Sequence, residues 1–365
     1  MAEDSPANRF ASLKDASVDG AKFRATRRKA RQATRRRRRR TKFVVAAALL
    51  VGAIAIILAV MPTEEIQVNT VAIPAASPPK AVPSAPENSA QFSAADTRPD
   101  KVDADLAGNP AALKKRIKKI AAYYGGNYGV IVSDPSSGEQ VSLGSEETVF
   151  AASIGKLPTL LSLYNAADQG EVDLDDKITM LASDVQSYGT GELHTYPVGT
   201  TITLRECAFY LMNKSDNTAW VMLTRYLGRD RIQADLNGIG ASDTGYWIPN
   251  TTTADDVLLM LKSIASPGQT SPGLSEEMLQ SMTDTVFEDR IPGGLPSNAR
   301  VAHKIGTYGN NFSDAGIVSY GDGDSDKRYF VVVFTEGLGE SSARAAIQEI
   351  SAAAYQTFGP AGDGS

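Results

Sequence analysis

The chain has 365 residues and a formal net charge of −5 that conceals two opposed segments. Residues 1–42 hold 15 Lys/Arg against 4 Asp/Glu, whereas from Met61 onward there are 22 basic and 38 acidic residues. Such asymmetry points to two compartments or two partners. The single cysteine, Cys207, excludes an internal disulfide framework, and two histidines, His194 and His303, are too few for a histidine-built metal centre. No metal and no cofactor is expected.

Residues 1–42 read as a disordered basic tail that ends in the run Arg35 to Arg40 and Lys42. Residues 43–61 then form an uncharged apolar stretch, Phe43 to Met61. A helix of that length spans roughly 28 Å, about the thickness of the hydrocarbon core. The basic leader is longer than the usual signal-peptide start and no small-x-small cleavage site follows closely, so the stretch predicts an uncleaved transmembrane helix. The arginines place the N-terminus in the cytoplasm and the remainder outside, on a single-pass protein of the cell membrane. Beside a span, the arginine run sets topology and meets anionic lipid, and no nucleic-acid partner is expected. Residues 62–105 are rich in Pro, Ala and Ser without an apolar period and read as a linker.

Residues 106–359 carry the globular part, a size that fits one large domain or two joined lobes. Asn109 and Pro110 form a cap and first-turn pair for a helix to Tyr124. Tyr128–Ser133 predicts a strand, and Asp134–Gly138 a turn into a second strand at Gln140–Leu143. The middle, to Ala265, is helix-rich. In it, Cys207 shares an apolar helical period with Leu204, Ala208 and Leu211 and reads as a buried small side chain. Arg300–Thr307, Asp314–Tyr320 and Arg328–Thr335 predict three strands, and Ser341–Phe358 an amphipathic helix. The expected architecture is an α/β (α+β three-layer) fold: an antiparallel sheet flanked by the N- and C-terminal helices, with a mostly helical lobe inserted.

Chemistry concentrates in Phe150-Ala151-Ala152-Ser153-Ile154-Gly155-Lys156, predicted at the start of a helix running to Gln169. Positions i and i+3 of a helix share a face, so Lys156 is expected beside the Ser153 hydroxyl. A serine is a weak nucleophile that needs a neighbouring base, and a buried lysine serves once its pKa falls. Free N–H groups at a helix start also suit an anionic intermediate. An isolated serine–lysine pair is usually a cap and a solvated side chain. Two further motifs set this one apart: Ser215-Asp216-Asn217 between two helices, and Lys304-Ile305-Gly306-Thr307 on a strand.

In this order, S-x-x-K, S-D-N and K-x-G resemble the penicillin-recognising serine enzymes, the β-lactamases and transpeptidases. The longer runs from Leu204 through Ala219 and from Arg290 through Lys304 are most similar to class A β-lactamases, over residues 106–358. The resemblance implies a serine hydrolase of β-lactamase type with an acyl-serine intermediate. Ser153 would attack, Lys156 would take its proton and Ser215 would relay a proton to the departing nitrogen. Asn217 would hold the substrate amide, and Lys304 and Thr307 would meet the substrate carboxylate. The backbone N–H groups of Ser153 and Thr307 would form the oxyanion hole. The implied substrate is a β-lactam or a peptidoglycan stem peptide.

Two departures qualify the match. Ile305 stands where the family carries a hydroxyl, and the Glu-x-x-Leu-Asn segment is missing. Residues 240–253 occupy its place and contain no glutamate. Asp243, Asp255 and Asp256 are the nearby carboxylates, and spacing does not choose among them. Acylation is therefore expected and efficient attack by water is not. Three readings stay open: a β-lactamase, a penicillin-binding D,D-peptidase, and a non-catalytic wall-binding protein of the same fold.

Overall fold

The computed structural model describes residues 105–265, 270–321 and 327–360. The basic tail, the apolar stretch 43–61 and almost all of the linker lie outside the described residues. Among those described, no helix is long and apolar enough to cross a membrane.

Helix α1 (Pro110–Tyr124) starts where the sequence places it, because the Asn109 side chain accepts the Ala112 N–H and Pro110 needs no partner for a missing donor. Strands β1 (Asn127–Ser133) and β2 (Gln140–Leu143) follow. Late in the chain come β7 (Arg300–Tyr308), β8 (Asn311–Tyr320) and β9 (Lys327–Glu336), and the closing helix α8 (Glu340–Phe358). These five strands make one antiparallel sheet in the order β2-β1-β9-β8-β7, so the first and last parts of the chain pair at its centre.

Side-chain alternation divides this sheet between two cores. Val130, Val132, Val331 and Val333 pack with Leu113, Ile117, Ile347 and Ile350 under α1 and α8. Their neighbours Ile131, Phe330, Val332 and Phe334 pack on the opposite face with the helical lobe. With both faces covered, the β9 run Tyr-Phe-Val-Val-Val-Phe is apolar throughout. Layers of helix, sheet and helix result, as the sequence predicts.

The lobe between β2 and β7 contains α2 (Leu157–Asp168), α3 (Leu204–Asn213), α4 (Asn217–Leu227), α5 (Arg229–Gly238), α6 (Ala254–Ala265) and α7 (Pro272–Ser281). It also holds two short ladders the sequence pattern does not reveal. One pairs β3 (Val149–Phe150) with β6 (Thr251–Thr252), the other β4 (Lys177–Thr179) with β5 (Thr201–Thr203). Strands of two or three residues are too short for a period to show.

One local expectation is corrected. Ser153 and Lys156 lie on a 3-10 turn, Ala152–Lys156, and the α-helix proper begins at Leu157. Pro158 has no N–H to donate to Ile154, so the chain closes the turn with the tighter Leu157 N–H to Ile154 carbonyl bond instead. The helix also ends at Asp168.

Candidate active site

The nucleophile turn is held in place by neighbours on both sides. Ala152 has φ of +48°, an unfavourable value for a residue with a Cβ. Its carbonyl accepts the Asn250 amide at 3.2 Å, while the Ala151 N–H bonds the Asn250 carbonyl at 2.9 Å. Asn250 and Ser215 likewise have positive φ, +52° and +51°. Three of the five such non-glycine residues in the described chain therefore surround one turn, where strain of this kind needs firm support. Two glycines allow the close packing. A Cβ on Gly155 would stand 2.3 Å from Asn250 Oδ1, and one on Gly306 would stand 2.5 Å from Ser313 Oγ and 3.0 Å from the Ala151 carbonyl. Gly306 thus lets the edge strand β7 lie against the turn.

Around Ser153 the three motifs meet. Lys156 Nζ lies 2.9 Å from Ser153 Oγ, 2.7 Å from the Ser215 carbonyl, 2.7 Å from Asn217 Oδ1 and 3.2 Å from Ser215 Oγ. Lys304 Nζ donates to Ser215 Oγ at 2.9 Å and to the Ile305 carbonyl at 3.1 Å. Ser215 Oγ therefore bridges two lysine nitrogens, both fully buried. Burial, and then the Lys304 charge beside it, hold Lys156 well below the usual lysine range. Burial pushes Lys304 down to about 7, against the pull of Asp314.

The acceptors around Lys156 suit the uncharged amine. Two of its four partners, the Ser215 carbonyl and Asn217 Oδ1, accept only. A neutral amine satisfies both with its two N–H groups and keeps its lone pair for a hydroxyl. Asn217 is fixed in that orientation by its own donation to the Tyr188 carbonyl at 3.0 Å. Asp216 caps α4 through Ala219 N–H at 2.9 Å and also binds the N–H groups of Glu192 and Leu193. It positions the motif and does not reach Ser153.

Thr307, at the exposed end of the edge strand, accepts a 2.6 Å hydrogen bond from Arg290 Nη2. Arg290 also donates to the Gly306 and Ser313 carbonyls, at 2.8 and 2.6 Å. Sequence reasoning gave Arg290 no role, because a lone arginine near a Pro-Gly-Gly turn carries no sign that it will be buried. His303 was likewise passed over. It is wholly buried, with Nδ1 2.9 Å from Asp314 Oδ1 and Nε2 3.3 Å from Glu288. Asp314 raises its pKa to about 9 against the effect of burial, the largest single influence.

The remaining sequence candidates stay apart from the nucleophile. Asp256 accepts from Thr244 Oγ1 at 2.9 Å and its N–H bonds Thr253, so it holds the short 240–253 segment together. Burial raises its pKa. Among the described residues no carboxylate is hydrogen-bonded to Ser153, Lys156, Ser215 or Lys304. Cys207 is fully buried, as its apolar period implies. His194 lies on a short 3-10 turn, Leu193–Thr195.

A profile of the Beta-lactamase enzyme family matches residues 112–358, over half of the chain. The chain belongs to that family. It is a serine hydrolase of the β-lactamase type. β-Lactamase VEB-1 of Pseudomonas aeruginosa is 24% identical over 255 residues, 63% of this chain and 84% of that protein. The solved structure of PBP-A is 25% identical with a TM-score of 0.62, covering 67% of this chain and 95% of its own. A β-lactamase from Sphaerobacter thermophilus is 26% identical at the same score, covering 68% and 97%. The similar proteins include β-lactamases and PBP-A.

Proposed function

We propose that the protein is a penicillin-reactive acyl-serine enzyme, similar to class A β-lactamases, held at the cell membrane by residues 43–61 with its enzymatic domain outside. The observation that carries the chemistry is the chain of contacts from Ser153 through Lys156 and Ser215 to Lys304. Lys156, neutral, takes the proton as Ser153 Oγ bonds to the substrate carbonyl carbon. The N–H groups of Ser153 and Thr307 receive the oxyanion. Ser215 Oγ passes a proton to the departing nitrogen and is resupplied by Lys156. Lys304, with Arg290 and Thr307 nearby, meets the substrate carboxylate. Thr307 accepts from Arg290, so its own O–H is directed to the ligand and substitutes for the hydroxyl missing at Ile305.

The absence of a carboxylate at Ser153 among the described residues favours slow release of the acyl group, and with it the penicillin-binding D,D-peptidase reading over rapid lactam hydrolysis. A mutant of the structurally similar PBP-A has been solved as an acyl-enzyme complex with penicillin G. An intact-mass time course with penicillin G tests both steps. A single adduct, absent in Ser153→Ala, establishes acylation. An adduct that persists identifies the penicillin-binding type, one that clears within seconds identifies the lactamase, and no adduct overturns the proposal. Cleavage of a D-Ala–D-Ala stem peptide would name the natural substrate. Protease protection of whole cells reads the membrane orientation.

A further inference from the structure

Aromatic groups lie against the nucleophile turn at Gly155 and Lys156. The Trp220 ring lies 5.2 Å from Lys156 Nζ, and its Cζ2 lies 3.5 Å from the point where a Cβ on Gly155 would be. Its one polar atom, Nε1, is engaged at 3.1 Å by both Thr159 Oγ1 and the Tyr246 hydroxyl, which fixes the ring plane. Trp247 packs edge-on against it at 5.2 Å and is itself covered by the Arg229 guanidinium at 4.5 Å. Asn250 closes the flank through its bonds to the nucleophile turn.

A water held beside a buried group requires two to four polar partners. Only one is on offer here: Asn250 Oδ1, beside Gly155, is left over after the Asn250 amide N–H donates to Ala152. The Lys156 nitrogen is surrounded by protein oxygens, Trp220 presents carbon, and its indole N–H is already committed. Ser153 itself is half-buried. Resting on the acyl-serine reading above, we propose that Trp220 is a specificity-determining residue that denies water this approach to the acyl-serine. The acyl group is thereby retained for a stronger nucleophile, an incoming amine.

The step it suppresses is balanced without a carboxylate. A water oxygen bonds to the acyl carbon while its proton passes to the Lys156 lone pair. The bond from that carbon to Ser153 Oγ then breaks, and the oxygen recovers the proton. What is missing is the full set of polar partners that would hold the water.

The test uses the full-length protein and penicillin G, following adduct mass with and without hydroxylamine. Trp220→Ala is expected to acylate within about twofold of the wild-type rate. Its adduct should clear at least about tenfold faster, with a smaller hydroxamate fraction because water now competes. Trp220→Phe, which keeps one aromatic ring and loses the N–H and part of the indole, should clear more slowly than Trp220→Ala. An unchanged adduct lifetime in Trp220→Ala overturns the inference, as does equally fast clearance in Trp220→Phe. Should Trp220→Ala fail to fold, Trp220→Leu replaces it under the same criterion: shortened lifetime supports the inference and wild-type lifetime overturns it. A wild-type protein that never forms an adduct refutes the acylation reading itself, a distinguishable result.

Discussion

The two flanks of Ser153 are built on different principles. Toward β7 the side chains are cationic and hydroxylic: Lys304, Arg290, Thr307 and Ser215 are joined by bonds of 2.6 to 2.9 Å. Toward the 240–253 segment they are aromatic, with Trp220, Tyr246 and Trp247 in mutual contact. The first flank suits an anionic substrate and an oxyanion. The second offers no carboxylate to activate water, and aromatic surface is a poor host for it. Forming an acyl-enzyme and destroying it are thus separable in structure, and a chain can keep the first while lacking the means for the second.

The comparison is broken most severely at Lys156, which touches both flanks. Lys156→Met keeps the length of the side chain and removes the amine. Loss of a positioned base typically costs 10²- to 10⁴-fold, so penicillin acylation is expected to slow by about 10³-fold, read as the second-order labelling rate. Loss of less than about tenfold would show that another group takes the Ser153 proton.

On the polar flank alone, Arg290→Ala should lower acylation efficiency by about tenfold through weaker substrate binding, with the limiting rate at saturating penicillin largely kept. Thr307→Val, which leaves Arg290 without its hydroxyl acceptor, should have a smaller effect in the same direction. If Arg290→Ala instead lowers the limiting rate and leaves binding intact, the arginine acts by shaping the β7 edge, through the Gly306 and Ser313 carbonyls, and not by holding substrate.

Much of this was legible in the sequence, and the gaps have physical reasons. Four of the sheet strands were readable because they are long and largely apolar, and β2 because a turn at Asp134–Gly138 leads into it; α1 was readable from the Asn109-Pro110 cap and α3 from its apolar period. The meeting of Ser153, Lys156, Ser215, Asn217 and Lys304 was foreseeable from motif order, which carries more than any one motif. The 3-10 geometry was not, since Pro158 suits the first turn of an α-helix equally well. Arg290, His303 and Trp220 were missed for one shared reason. Their importance lies in contacts with residues 11 or more positions away, and no local period reports such contacts. Asp256 illustrates the converse: it was a reasonable candidate by type, and the fold engages it with Thr244 instead.

The smallest expected effect concerns stability behind the polar flank, where two buried groups respond oppositely to pH. His303 has its pKa raised to about 9, so its contribution is fully present below its ordinary value of 6.5 and is lost as pH rises through 9. Lys304 is lowered to about 7, so between 7 and its ordinary value of 10.5 the unfolded chain binds more protons than the folded one, and stability rises with pH. In wild type the two slopes offset over pH 7 to 9. His303→Asn removes only the falling one. Its urea midpoint is expected to lie below wild type at pH 6.5 and to climb relative to it toward pH 9, narrowing the gap. A gap that stays constant with pH would mean that His303 is neutral in the folded protein and that Asp314 alone balances Lys304 and Arg290.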